Sequence, residues 1–559
     1  MTSPWSTHAI FNQVDEWTDV NLLDADPALG NALRHAGADW AHADLHRYAG
    51  QLGAAETWRL AEEANRHPPA LRSFDARGRR IDQVDFHPSW HQLMAMYREQ
   101  GLIGLPFADH RKGRWAAWAA GFYLHSQVEQ GTMCPATMTT ASIPVLQKEP
   151  ALWAQLQAPL MSTAYDARDV PLAQKPSIWL GMGMTEKQGG SDVRANTTVA
   201  TPIGAGGRGG EYLLRGHKWF FSAPMCDAHL VVARTGEGGP FACFFVPRWR
   251  PDGSKNAVNV QRLKDKVGNR SNSSSEVEFQ DAWGVLMGEE GRGIPTIIEM
   301  AGYTRLNCVL GSSAILRQAV VQAVAYTRQR EAFGRRLVEQ PLMRAVLADL
   351  ALESEAATVL ALRLAEAYEH ELDVGDSLAE RAWKRVMTPA AKFWVCKRGV
   401  ELTGEAMETF GGNGYVDTSV VARLFREAPV NSIWEGSGNV MCLDVLRAMA
   451  REPKAVAALL ESLAPVAAGD ARLLAALQGL GHLLRQPPEQ LEAMGRVLVQ
   501  QLVLVAQGCL LRERAPTAVA DAFIASRLAD PLAGRVAGAI DTRAMDVAAL
   551  LARALPQDV

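Results

Sequence analysis

The sequence predicts an α+β protein, mainly α, in four blocks: an N-terminal helical domain (1–178), a middle antiparallel β-barrel or sandwich (179–290), a helical bundle (291–447) and an extra C-terminal helical domain (448–559). Three observations carry this. Long stretches repeat apolar residues at helical spacing. One interior stretch breaks into short β-rich runs divided by turn residues. The length of 559 residues suits three or four domains rather than one.

The first block holds NALRHAGADWAHADLHRYAGQL (31–52) and HPSWHQLMAMYREQGL from 87, both helix-spaced, and prolines at 135, 144, 150, 159, 171 and 176 punctuate its end. Between 195 and 285 come NTTVAT, EYLLRG, KWFFSA, AHLVVART, FACFFVP, AVNVQRL and SSEVEFQDA, separated by turns such as GEGGP and PDGSKN. From 291 to 447 the periodic runs are long enough for a bundle. The last block is Ala/Leu-rich and broken by Pro465, Pro487, Pro488 and Pro516.

Composition bounds the function. Apolar residues make up 48% and charged residues 21%, ordinary for a globular enzyme, and a net charge of −4 offers no general attraction to nucleic acid or membrane. Seven scattered cysteines without a CxxC fit a reducing, cytoplasmic setting. The N-terminal MTSPWSTHAIFNQVDEW lacks the basic start and apolar run of a signal peptide, and LVLVAQGCLL (502–511) is too short to span a bilayer.

Several motifs carry chemistry. GMGMTEKQGGSDV (181–193) packs four glycines around Thr185, Glu186, Lys187, Ser191 and Asp192, a density expected where backbone approaches another group closely. In NSIWEGSGN (431–439), Glu435 lies between Trp434 and a small-residue turn. Apolar surroundings would raise its pKa and suit it to proton abstraction; a helix-start carboxylate is the plainer alternative. FGGNGY (410–415) and RQREAFG (328–334) fit close backbone approach and an Arg330 fork for phosphate, or simply a turn and a solvated charge.

Other patterns point away from chemistry. GAGGRG (204–209) matches GxGxxG but precedes a strand-like run, so it predicts a hairpin loop, not a dinucleotide site. His42/His46 and His87/His91 lie four apart yet lack a third ligand, so no metal is expected. Arg248 to Arg270 holds seven basic residues against two acids, a solvated hairpin or an anion contact.

Taken in order, these motifs resemble the acyl-CoA dehydrogenase superfamily: TEKQGGSDV is similar to its TEPGAGSDV signature, and KWFFS, RxxFG, FGGNGY and WEGxxN follow in family order. The wording HKWFF, LKDKVGNRSN and PVNSIWEGSGN, with FNQ, FHPSWH and MCLDVLR elsewhere, resembles the branch tied to the adaptive response to DNA alkylation. The resemblance implies an acyl-CoA dehydrogenase-like fold, FAD, an acyl-CoA substrate and Glu435 as the base. It implies flavin contacts from Met182, Thr185, Gly190, Ser191, Trp219, Ser222, Trp434, Ser437 and Asn439. Arg330 and Phe333, with the Gly411–Gly412 pair, would reach FAD across a subunit boundary, giving a homotetramer. A second carboxylate position used in the isovaleryl branch is Thr304 here, before Arg305, and Arg305 would oppose desolvation at Glu435. The resemblance also implies double-stranded DNA as a partner of the last block, with Arg447 in contact. From Arg447 onward, however, 12 basic residues face 11 acids.

Overall fold

The structure, a computed structural model, describes residues 7–529 and 536–557. Residues 1–6 of the N-terminal stretch, and Asp530, Arg535 and Asp558 of the terminal charge balance, lie outside the described residues.

The first block is helical, from Pro27–Ala36 to Pro150–Met161. The helix Pro27–Ala36 shows how local chemistry sets its ends: Asp26 accepts from Leu29 N, proline occupies the first turn, and Gly37 closes it at φ 76°. Arg114–Val128 is buried on every side, which its Trp/Ala/Phe-rich sequence permits. One element adds strands to the mostly helical expectation. Ala70–Phe74 and Arg80–Asp85 form an antiparallel hairpin, and the alternation in RIDQVD around the turn DARG is its sequence signal.

The middle block is a seven-stranded sheet. Glu211–Phe221 pairs with Ser275–Met287 and with Val199–Pro202; the ring runs on through Ala228–Thr235 and Phe241–Pro247 and closes as a barrel. The purely antiparallel expectation needs correction. Leu180–Gly183 and Val199–Pro202 both run parallel to Ala228–Thr235. Their connections are long enough to return the chain in the same direction, which no two-residue turn could do. GAGGRG is the turn between Val199–Pro202 and Glu211–Phe221, with Gly204, Gly206, Gly207 and Gly209 all at positive φ.

The bundle is built on Gly293–Gln329 (37 residues), Pro341–Asp373 (33 residues) and Thr388–Glu408 (21 residues). Gly293–Gln329 is long and apolar enough to cross a membrane, but its apolar stretch is enclosed by its neighbours, as in a core helix. The last helices pack onto the bundle rather than hanging from it. Their apolar residues share one continuous core with the first block and the bundle. Buried Arg527 pairs with Asp349 and Glu353, Arg514 with Glu366, and Arg553 with Glu355.

Candidate functional site

Glu435 sits in the turn between Val420–Ile433 and Gly438–Arg451. By surface area the residue is only partly buried, but its carboxyl lies deep among protein atoms. Thr304 Oγ1 donates to its Oε2 at 2.7 Å, and Arg305 Nε donates to its backbone oxygen at 3.0 Å. Burial pushes the carboxyl above its ordinary value; the Thr304 hydrogen bond and the charges of Arg305 and Lys392 pull back without reversing the shift. Desolvation therefore wins over Arg305, whose guanidinium also engages Asp444 at 2.8 Å, an acid shared with Arg385 at 2.7 Å. The position of the alternative carboxylate, Thr304, serves instead as a hydrogen-bond donor to the loop acid.

The glycine-rich loop packs beside Trp219. Trp219 N donates to Thr185 O at 2.8 Å, and Gly183 is paired with Phe221. Met182 is half-buried in its strand, and Gly190 and Ser191 are exposed at the loop's rim. The acid of this loop has a distant partner: Glu186 pairs not with Lys187 but with Lys218, at 2.8 Å, and both side chains are fully enclosed. Cys134 bridges the two regions. Its thiol lies beside Ser222 and Asn272 and within the field of Glu435, and burial raises it to about 12. Trp434 donates to Asn431 at 3.0 Å, Ser437 is partly buried, and Asn439 is exposed and accepts from Arg496 at 2.9 Å.

Arg330, Phe333, Gly411 and Gly412 gather elsewhere. Tyr326 stacks on Phe410 at 4.1 Å, joining the two segments. Thr304 lies in the first third of the helix Gly293–Gln329 and Arg330 caps its C-terminus, 26 residues and about 39 Å apart along its axis. One chain therefore does not bring Arg330 to its own Glu435. Arg330 donates to Asn12 O, and Asn12 Oδ1 accepts from Glu331 N at 2.9 Å. Phe333 is 97% exposed, at φ 53°.

These residues fit a flavin. A Cβ on Gly190 would meet the Thr185 side chain at 2.9 Å, so any larger residue would displace Thr185. Gly411 and Gly412 open onto free space, leaving their backbone accessible. Thr185 and Ser191 supply hydroxyls, and Trp219 a ring face.

The discarded motifs have plain roles. His42 stacks on His46, which pairs with Asp24; His87 stacks on His67; His91 bonds Tyr165 at 2.6 Å. Among the described residues no His/Cys/Asp/Glu cluster could hold a metal. The basic run from 248 is largely tied down: Arg248 and Lys255 share Asp169, while Arg262 and Lys264 share Glu276. Lys264 also lies 3.7 Å over the Trp219 ring. A cavity of about 400 Å³ opens between Trp58, Arg423 and Arg426, but none of the residues read as flavin contacts lines it. Arg447, at the end of the bundle block, and Arg451 and Lys454, at the start of the terminal block, are exposed and without an ion pair among the described residues, whereas Arg472 and Arg512 are held by Asp470 and Asp521.

A helical block, a closed mixed barrel and a bundle with one deeply set loop carboxylate define a class of flavin-dependent oxidoreductases. Models of the acyl-CoA dehydrogenase middle and C-terminal domains match residues 181–282 and 291–450, and the adaptive response protein AidB N-terminal domain matches 12–167. The chain belongs to the acyl-CoA dehydrogenase family, whose members are FAD-dependent. More particularly, it is 47% identical to the AidB protein of Escherichia coli over 93% of this chain and 94% of that one. It is also 29% identical to acyl-CoA dehydrogenase family member 11 of Caenorhabditis elegans, over 76% and 70% of the two chains. Among solved structures it resembles C. elegans ACDH-11 in complex with C11-CoA, with TM-score 0.85, 25% identity and 94% of each chain covered. The butyryl-CoA dehydrogenase of Megasphaera elsdenii shares the fold, with TM-score 0.57, 21% identity and 78% and 100% covered.

Lys392, Cys134, Asp444 and Arg496 escaped sequence reasoning. None lies in a glycine-rich or aromatic motif, and each reaches the site from a separate helix.

Proposed function

We propose that this protein is an AidB-like FAD flavoprotein that oxidises the α,β-bond of a short or branched acyl-CoA thioester, with Glu435 as the base. The supporting observation is one acid, raised by burial yet oriented by Thr304, on the turn that follows Trp434. Its Oε would take the α-proton, and a pKa raised toward the working pH makes it a better acceptor. Met182, Thr185, Gly190, Ser191, Trp219, Ser222, Trp434, Ser437 and Asn439 would hold the flavin; Arg330, Phe333, Gly411 and Gly412 would reach it from a second subunit. Bound FAD would supply the hydride acceptor for the β-carbon. The 39 Å separation within one chain supports a site shared between subunits, and exposed Phe333, Leu342 (85%) and Tyr415 (81%) support a subunit contact there, within the homotetramer we propose. The four-block division is kept as the domain scheme, and seven free thiols support a cytoplasmic setting.

The test is anaerobic. The purified protein should be yellow and bleach with a branched short-chain acyl-CoA, and Glu435→Gln should abolish bleaching. Equal bleaching by that variant refutes the assigned base.

A second reading is a double-stranded-DNA-binding flavoprotein that protects DNA against alkylation with little dehydrogenase turnover. The exposed, unpaired Arg447, Arg451 and Lys454 support it, since phosphate contacts need free cations. The ion-paired arginines of the same block weigh against a broad basic face. A salt-sensitive gel shift on non-specific duplex would favour it; no shift at low salt would remove it.

A further inference from the structure

Lys392 lies in the helix Thr388–Glu408 and is 1% exposed. Its Nζ donates to the backbone oxygen of Gly436, the residue after the loop acid. No carboxylate pairs with it directly among the described residues. A buried ammonium without a counter-charge is costly, so its surroundings must answer it. Three titratable groups face it: the thiols of Cys308 and Cys396, and the carboxyl of Glu435. Burial pushes both thiols up and keeps them neutral. Glu435 is therefore the anion that answers Lys392.

The backbone gives Lys392 a second task. Glu435 stands at φ 59°, a conformation that a residue with a Cβ rarely adopts, and Gly436 follows at φ 109°, which glycine accommodates. Arg305 holds the first carbonyl at 3.0 Å, and Lys392 holds the second. The two cations are not equivalent. Arg305 has a carboxylate partner in Asp444, which it shares with Arg385, while Lys392 has no such partner among the described residues.

We propose that Lys392 is a positioning residue for Glu435: it pins the Gly436 carbonyl, and its charge, which no carboxylate engages directly, favours the ionised form of the Glu435 carboxyl. This rests on the reading of Glu435 as the base only for its consequence in turnover; the effect on ionisation stands by itself. The other groups facing Glu435 are Thr304, Arg305 and Cys308 from the long helix and Cys134 from Met133–Leu146, and none of them is altered when Lys392 is changed.

The experiment is an infrared titration of the FAD-loaded protein, with the Glu435 carboxyl band assigned by its loss in Glu435→Gln. Two variants are compared. Lys392→Met removes both charge and donor; Lys392→Gln removes the charge and keeps a donor for Gly436. Both should titrate Glu435 higher by about one pH unit, the low end of the shift that loss of an opposite charge produces. The acid limb of flavin reduction by acyl-CoA should move up with it. A lysine that only fills space would leave the band where it is in both variants, and that result overturns the proposal. If Lys392→Met does not fold, Lys392→Gln alone decides. If Glu435→Gln still reduces its flavin, the base assignment falls, while the infrared band still judges Lys392.

Discussion

Lys218→Met addresses the geometry of the flavin loop most directly. Lys218 Nζ lies 2.8 Å from Glu186 Oε1 and 2.8 Å from Val232 O. Glu186 also accepts from Thr197 N at 2.7 Å, Thr198 N at 3.2 Å and Gln188 Nε2 at 2.7 Å. Burial pushes the Glu186 carboxyl up, but the charge and hydrogen bond of Lys218, with the backbone donors, bring it to about 2 from 4.5. Lys218 behaves differently: burial draws it down to about 8, more than Glu186 raises it. The asymmetry is physical, since Glu186 has several further donors and Lys218 only a carbonyl and a hydroxyl. The Glu186 side is thus the better measure of what the pair contributes. Lys218 is the main group that holds this carboxyl down, and breaking a buried pair costs roughly 3–5 kcal/mol, so Lys218→Met should cost about 3 kcal/mol at neutral pH. A depressed carboxyl stabilises above its ordinary 4.5 and loses that effect as pH falls through about 2, so variant and native protein should converge there.

The assay is hydrogen exchange at neutral pH over peptides spanning 183–198. Opening should become about 150-fold more frequent, the factor that corresponds to about 3 kcal/mol. FAD should bind more weakly, since the same segment carries Thr185, Gly190 and Ser191. Lys187→Met is the control, because Lys187 is exposed and forms no pair with Glu186. Unchanged exchange in Lys218→Met, or an equal effect from Lys187→Met, refutes the reasoning.

Thr304→Val removes a donor that favours the ionised Glu435, so the acid limb of flavin reduction should rise by about one pH unit; a fixed limb in a stopped-flow pH series would count against it. Phe333→Asp places a charge on the 97% exposed ring position and should shift sedimentation to smaller species with loss of FAD; an unchanged sedimentation profile would exclude this surface from the subunit contact. Reversing Arg447, Arg451 and Lys454 to Glu should lower the salt slope of duplex binding by roughly 3, about one per phosphate contact, as measured by gel shifts across salt; an unaltered slope would place any DNA contact elsewhere.

The sequence by itself determined the order of blocks, because helical and strand periodicities are local and survive any later packing. It also determined the family, because TEKQGGSDV, RxxFG, FGGNGY and WEGSGN are contiguous words. It marked Glu435, since an acid set between tryptophan and glycine is conspicuous before any fold is known. Tertiary structure decided the partners. Glu186 stands beside Lys187 in the chain yet is paired with Lys218, 32 positions on. Thr304, Arg305 and Lys392 meet the Glu435 turn from 131, 130 and 44 positions away. The parallel strand pairings and the neutralised basic residues of 248–264 arise in the same way. Ionisation and hydrogen bonding depend on what lies within a few ångströms and on how much water is excluded there, and both are set by burial and topology rather than by neighbours along the chain.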